Sequence, residues 1–197
     1  MAEIETGGLD AILITISGCG TTVKDYGFML RTDPAYADAA ACVSALARDI
    51  CEYLAGADLP PGAAPERLVV AYHSACSLQH GQKVVREPKD VLSRLGFIVK
   101  DVPEGHLCCG SAGTYNILEP DIAKRLRARK VGNIEKLAPD VIAAGNIGCI
   151  TQIAAGTAIP VVHPVELIDW ATGGPKPAAL RGNRITAAPA RRAEAAV

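Results

Sequence analysis

Aromatic residues are scarce in this sequence: they make up 4% of its 197 residues, and only one is a tryptophan. That is too few for the base-stacking platforms with which proteins bind single-stranded nucleic acid. An excess of one charge is also missing, because 20 Lys and Arg residues oppose 21 Asp and Glu residues. Without surplus positive charge to neutralise phosphates, we expect no nucleic acid partner.

Targeting and cofactor motifs are absent as well. No N-terminal segment combines basic residues, a long apolar run and a small-residue cleavage site, so we expect a cytoplasmic protein with reduced thiols. Residues 141–162 lack Asp, Glu, Lys and Arg, but three glycines and Pro160 divide them, and we predict no membrane span. The sequence contains no G-x-G-x-x-G dinucleotide fingerprint and no evident nucleophile-base pair. We therefore predict no catalytic site in this chain alone.

Short apolar runs alternate with helical stretches along the chain. Strands that are apolar on both faces are predicted at residues 11–16, 67–72, 97–102, 140–144 and 159–162. Helices are predicted at residues 33–56, 82–95 and 120–137. This alternation predicts an α/β fold, a three-layer open and mostly parallel sheet with helices on both faces.

Composition divides the chain into four segments. Residues 57–66 contain three prolines and read as a linker between a first unit, residues 1–56, and a second unit, residues 67–172. Residues 173–197 are predicted to be a disordered tail. A weak repeat links the two units, because the segments 11–19 and 141–149 each run from an apolar strand into Gly-Cys.

The seven cysteines carry the strongest chemical signal. Cys76, the pair Cys108 and Cys109, and Cys149 each follow a predicted strand of the second unit. The carboxyl ends of parallel strands emerge at one edge of a sheet, so we expect these four thiols to meet there. The turn after the pair contains Gly110, Ser111 and Gly113, which we predict to offer backbone N–H groups to anionic sulfur.

Three interpretations of this cysteine set follow from its spacing. A structural zinc site usually takes its thiolates from Cys-x-x-Cys knuckles, which are absent, whereas an iron-sulfur cluster can accommodate adjacent cysteines. The spacing therefore favours iron-sulfur over zinc. Four buried core cysteines are the third interpretation, since free cysteine is often buried.

The other cysteines and the histidines are weaker candidates. Cys42 and Cys51 fall nine residues apart on one predicted helix, on opposite sides, and we interpret them as packing residues. Cys19 has the same local context as Cys149 but lacks partners in its own unit, so its role as a ligand stays open. His73 and His106 lie within three residues of a candidate cysteine and are possible neighbours of the site rather than ligands.

Four motifs resemble a known family. They are SGCGTTVKDYG at 17–27, YHSAC at 72–76, CCGSAGTYN at 108–116 and GNIGC at 145–149. Cys76, Cys108-Cys109-Gly110 and Cys149 resemble the cysteine-rich CCG domain of heterodisulfide reductases and of the iron-sulfur subunits of glycolate, lactate and glycerol-3-phosphate dehydrogenases. The residues around them resemble the C-terminal half of glycolate oxidase iron-sulfur subunits, over about residues 10–172.

The resemblance implies an iron-sulfur electron-transfer unit of a flavin-linked glycolate or other 2-hydroxy-acid oxidase. Its metal residues would be Cys76, Cys108, Cys109 and Cys149, with Cys19 belonging to residues 1–56 as the remnant of a first CCG domain. The full family pattern ends in Cys-x-x-Cys, but Gln152 stands at the last position, which favours a [4Fe-4S] site with four thiolates.

The implied partners are an FAD-containing oxidase subunit and the remaining N-terminal half of the iron-sulfur subunit. A membrane quinone is an implied acceptor, which would place the chain at the inner face of the membrane. Two alternatives remain: a zinc-binding or metal-free interaction module, and a thiol-disulfide enzyme that uses Cys108 and Cys109. The last is disfavoured because such enzymes usually need Cys-x-x-Cys.

Overall fold

The structure, a computed structural model, describes Ile4 and residues 8–181. The strands are β1 (Ile12–Ile14), β2 (Ala47–Asp49), β3 (Val69–His73), β4 (Ile98–Asp101), β5 (Val141–Ala144) and β6 (Val161–Val162). The α-helices are α1 (Ser17–Lys24), α2 (Tyr26–Met29), α3 (Ala37–Leu46), α4 (Ile50–Ala55), α5 (Glu87–Arg94), α6 (Tyr115–Leu118), α7 (Pro120–Glu135), α8 (Ile147–Ala154) and α9 (Pro164–Ala171). A π-helix covers Ser77–Gln82, and a 3-10 helix covers Ala178–Leu180.

Two parallel sheets organise these elements. The larger sheet has the strand order β4-β3-β5-β6, and each pair of neighbouring strands in it is parallel. Its central strand β3 pairs on both sides, so that Val70 lies opposite Val99 of β4 and Val141 of β5. The smaller sheet contains β1 and β2, also parallel. The prediction of an α/β fold with parallel strands is confirmed.

The larger sheet is covered on both faces because alternate residues of its strands point to opposite sides. Val70 and Tyr72 of β3 join a core with α5, α9 and Cys51 of α4. Ala71, between them, joins a second core with α7, α8 and the π-helix. The three layers predicted from the apolar strands are therefore present.

The prediction of one continuous helix over residues 33–56 is wrong, because a strand interrupts it. The chain there forms α3, then strand β2, then α4. Asp49 explains the break, because its carboxylate accepts a hydrogen bond from Cys51 N at 2.9 Å while Glu52 caps the Asp49 backbone N–H. This Asp-x-x-Glu capping box begins a new helix, and the sequence already contains that signal.

Both sides of the predicted linker contribute to one core. Cys51 and Leu54 precede residues 57–66, Leu59 lies within them, and all three pack with the residues of the larger sheet. Elsewhere the N-terminal segment leaves apolar side chains exposed, with Leu13 45% and Phe28 62% accessible. This segment therefore packs partly on the second unit and partly presents apolar surface to solvent.

The segment after α9 differs from the predicted disordered tail. Leu180 is 1% exposed and belongs to the core that contains α9, and Lys176 forms an ion pair with Glu66 at 2.6 Å. Residues 173–181 are thus packed on the domain, since the hydrophobic free energy of burying Leu180 offsets the conformational entropy lost when they become ordered. The rest of the predicted tail, residues 182–197, lies outside the described residues. Within residues 8–181, no helix combines the length and apolarity needed to cross a bilayer.

His163 joins the two sheets and predicts a pH effect on stability. Its Nδ1 accepts the Val165 backbone N–H at 3.1 Å, so the ring proton lies on Nε2, which donates to the Thr15 carbonyl at 2.7 Å. Burial lowers the pKa of His163 below 6.5, although its bond to Thr15 acts against this. Protonation would fill Nδ1 and break the helix cap.

Because the pKa of His163 is lower in the folded chain, the unfolded chain takes up a proton first as pH falls. Its contribution to stability is therefore present above pH 6.5 and is lost as pH falls towards the folded pKa. We expect urea denaturation to show a free energy of unfolding that decreases below this pH, and we expect His163→Asn to reduce the decrease. His80→Asn, at an exposed position, is the control; an equal effect of both variants would contradict this account.

Candidate metal centre

Four cysteines meet at the carboxyl edge of the larger sheet. Cys76 follows β3, Cys108 and Cys109 follow β4, and Cys149 lies in the first turn of α8 after β5. All four line one cavity of about 450 Å³. Its other lining residues are Gly18, Ser77, Ser111, Ala112, Gly113, Asn146, Ile147 and Gly148. The gathering expected from parallel strand topology is what the structure shows.

His73 lies beneath the thiols at the end of β3. It is 1% exposed, and neither ring nitrogen has a hydrogen-bond partner among the described residues. One of its nitrogens and the sulfurs of Cys109 and Cys149 lie within 4.8 Å of one another. A buried histidine without partners beside two thiols is typical of a site that binds a further group.

The turn that carries Cys108 and Cys109 depends on Gly110. Its φ is +93°, and a Cβ at this position would overlap the carbonyl oxygen of Ala123 in α7. The Gly110 backbone N–H donates to Cys108 Sγ at 3.3 Å, as predicted for this turn. Ser111 and Gly113, also predicted to donate, line the cavity.

Cys149 is held by a capped helix start. Asn146 is the N-cap of α8, and its Oδ1 accepts the Gly148 N–H at 2.9 Å. Its Nδ2 donates to Ser17 Oγ at 3.1 Å, and Ser17 Oγ lies 2.8 Å from Ser77 Oγ. This polar network ties the start of α1 to the cavity, which places Gly18 in the cavity wall. Both residues stand in the motifs at 17–27 and 145–149, but the sequence predicted no role for either side chain.

The remaining cysteines lie outside this cavity. Cys19 is exposed on α1 and is not among the lining residues, although it was a candidate metal residue. Cys51 is buried in the core, as expected for a packing residue, but Cys42 is exposed on α3. They lie on different helices because the predicted helix is split.

The geometry agrees with comparisons to known proteins. A family model for the cysteine-rich domain called CCG matches residues 70–154, which contain all four cavity cysteines. Residues 70–154 are a CCG domain. This part of the chain therefore belongs to the CCG cysteine-rich domain family.

Three relatives resemble the chain beyond these residues. It is 46% identical over 164 residues to the glycolate oxidase iron-sulfur subunit of Escherichia coli K12, covering 83% of this chain. It is 26% identical to lactate utilization protein A of Geobacillus thermodenitrificans, over 80% of the chain and 69% of that protein. It is 33% identical to one subunit of the fumarate reductase (CoM/CoB) of Methanothermobacter marburgensis, over 68% of the chain and 26% of that protein. The chain spans 40% of the length of the E. coli relative.

The thiols of the CCG domain have unequal proton affinities. The adjacent thiols of Cys109 and Cys76 lower the pKa of Cys108, and the Gly110 N–H contributes to this shift. Cys109, with a contribution from His73, lowers the pKa of Cys149. In return, the pKa values of Cys76 and Cys109 are raised, first by their interaction with Cys108. The set therefore favours a mixture of thiolates and thiols over four adjacent negative charges.

Four neighbouring thiolates repel one another. A metal cation bound among them would offset this repulsion, and its positive charge deprotonates each coordinating thiol. The donor set is soft, with four sulfurs and one imidazole, and such ligands select iron-sulfur clusters, zinc and copper(I). The cavity, the partnerless His73 and the sulfur-rich donors fit a thiophilic metal centre.

Proposed function

We propose that this chain is the cluster-binding part of an iron-sulfur subunit in a flavin-linked glycolate or related 2-hydroxy-acid oxidase. The observation that carries the proposal is the meeting of Cys76, Cys108, Cys109 and Cys149 in one cavity of the CCG domain. Similarity to the E. coli glycolate oxidase iron-sulfur subunit supports the substrate class. Four cysteines and no fifth thiol at Gln152 favour a [4Fe-4S] centre.

In this proposal the cysteines of the cavity bind the cluster, and the residues around them position and stabilise the cysteines. The four thiolates hold the iron-sulfur cluster, which when bound supplies one-electron transfer. The Gly110 N–H stabilises the charge on Cys108, and Gly148 and Asn146 fix the start of the helix that carries Cys149. Hydride removal from the substrate belongs to an FAD-containing partner, because this sequence has no dinucleotide fingerprint.

The remaining partners are part of the same proposal. Residues 1–56 are the remnant of a first CCG domain, and the exposed apolar side chains of Leu13 and Phe28 are available to pack against the N-terminal half of the subunit. The acceptor is a quinone, and the chain works on the cytoplasmic face of the membrane.

Dye reduction by glycolate tests the function. We expect no reduction with the chain alone, and reduction when the flavoprotein subunit and the N-terminal half of the iron-sulfur subunit are added. A chain with Cys109→Ser should fail to support reduction in the same mixture. Turnover by the flavin-free chain alone, or full activity of the mixture without this chain, would contradict the proposal.

A single-metal site is the second candidate function. The close approach of His73, Cys109 and Cys149, within 4.8 Å, is of the size expected around one tetrahedral ion such as zinc. In that case the domain would be structural and would act through protein contacts. The metal content of the chain distinguishes the two candidates.

A further inference from the structure

Lys130 on α7 is fully buried, with 0% of its residue surface exposed. Lysine is almost never fully buried unless it is paired with an opposite charge. Its Nζ donates to the backbone carbonyl of Glu104 at 2.9 Å, a neutral acceptor. The Glu104 carboxylate is held by Arg129 and Asn133 instead. Among the described residues, no salt bridge is formed by Lys130.

The ammonium group lies next to the metal-site loop. The Glu104 carbonyl that accepts from Lys130 also accepts the Leu107 N–H at 2.9 Å, within the turn that leads directly to Cys108. The neighbouring residue Val131 packs in the same core as Cys109 and Cys149. Lys130 is therefore anchored to the turn that leads into Cys108.

The pKa of Lys130 responds to burial and to the ionisable groups nearby. Burial lowers the pKa of Lys130, whereas Cys76, Cys109, Cys108 and the Glu104 carboxylate act in the opposite direction. Three of these four groups are cysteines of the cavity. When a metal holds them as thiolates, the cavity cysteines are thus negative groups close enough to act on the buried ammonium.

Metal binding makes the cysteines more negative and reduction makes a bound cluster more negative, and the positive charge of Lys130 favours both changes. Binding one divalent ion converts the mixture of thiols and thiolates into four thiolates and releases the remaining thiol protons to solvent. The four thiolates and the ion together then carry two net negative charges. Adding one electron to a bound cluster makes the site more negative by one further charge. A nearby fixed cation stabilises each of these changes, and it does so more strongly inside the protein than in water.

We propose that Lys130 is the buried counter-ion of the four-thiolate site, favouring both metal binding and the reduced state. The metal-binding part needs only that the cysteines hold a metal. The part concerning reduction rests on the proposed iron-sulfur function.

Two neutral variants test the proposal. Lys130→Met removes the charge and the hydrogen bond, whereas Lys130→Gln removes the charge and keeps a donor for the Glu104 carbonyl. Lys124→Met, at an exposed position on the same helix, is the matched control. Replacing a buried charge with an apolar side chain is often neutral or stabilising, so we expect Lys130→Met to fold, which thermal unfolding checks.

The first measurement is the affinity of the metal-free chain for cobalt(II) at a fixed pH. We expect both Lys130 variants to bind at least about tenfold more weakly than the unaltered chain, and Lys124→Met to bind equally well. Wild-type affinity in both Lys130 variants would overturn the proposal. Wild-type affinity in Lys130→Gln alone would also overturn it, because the role would then be the hydrogen bond and not the charge.

The second measurement is the reduction potential of the iron-sulfur-loaded chain. A tenfold change in the ratio of reduced to oxidised centres corresponds to about 59 mV for one electron, and we expect a decrease of this order in both Lys130 variants. An unchanged potential would overturn the part concerning reduction. If the chain held no iron, the cobalt result would still decide the counter-ion role, so the two failures are distinguishable.

Discussion

Cys109→Ser should remove nearly all iron from the chain, together with the broad thiolate-to-iron absorption at about 400 nm. Cys109 is 1% exposed, lines the cavity and lies beside Cys149 and His73. Serine retains the size of the side chain but replaces a soft thiolate with a hydroxyl that binds iron-sulfur clusters poorly. Iron analysis and the visible spectrum of reconstituted protein measure the effect.

Cys42→Ser is the matched control for this variant. Cys42 is exposed on α3 and lies outside the cavity, so iron content and absorption should remain as in the unaltered chain. Cys51→Ser should also keep its iron, because Cys51 belongs to the core on the other face of the sheet. Equal loss of colour in the Cys42 and Cys109 variants would contradict the assignment of the site.

Gly110→Ala should have the second largest effect, on both stability and iron binding. Alanine rarely adopts the φ of +93° found here, and its Cβ would overlap the Ala123 carbonyl, which is backbone and cannot rotate away. Strain and overpacking together should lower the free energy of unfolding by about 2–4 kcal/mol. The displaced turn would also move Cys108 and Cys109 from the cavity.

Gly132→Ala on α7 is the control for this substitution. Apart from the backbone of α7 itself, no atom of the described residues lies within 4 Å of a Cβ at Gly132, and alanine favours a helix over glycine by about 1 kcal/mol. We therefore expect a small gain in stability and an unchanged iron content. Urea unfolding in which Gly110→Ala matches Gly132→Ala would show that the turn is not constrained as described.

Much of the fold could be predicted because the larger sheet is buried on both faces. Strands such as Val141–Ala144 are apolar throughout, and each of the five strands predicted from such runs overlaps an observed strand. Strand β2 was missed because Ala47–Asp49 lies within a helical pattern of apolar residues, and its one strand partner among residues 8–181 is β1. Its position depends on a tertiary partner that local periodicity does not report.

The site was predictable where topology determines it and not where single contacts do. Cysteines that follow parallel strands must lie at one edge, so Cys76, Cys108, Cys109 and Cys149 could be grouped from the sequence. Lys130 could not, because a lysine on an amphipathic helix normally faces solvent. Its burial follows from the packing of α7 against the loop before Cys108.

The metal content of the chain, purified without oxygen, tests the central proposal most directly. Iron, inorganic sulfide and zinc should be measured per chain in the same sample, before and after reconstitution with iron and sulfide. Iron and sulfide in near-equal amounts, approaching about four of each with little zinc, is the predicted result. About one zinc per chain without sulfide, unchanged by reconstitution, would contradict the iron-sulfur function and establish a single-metal site.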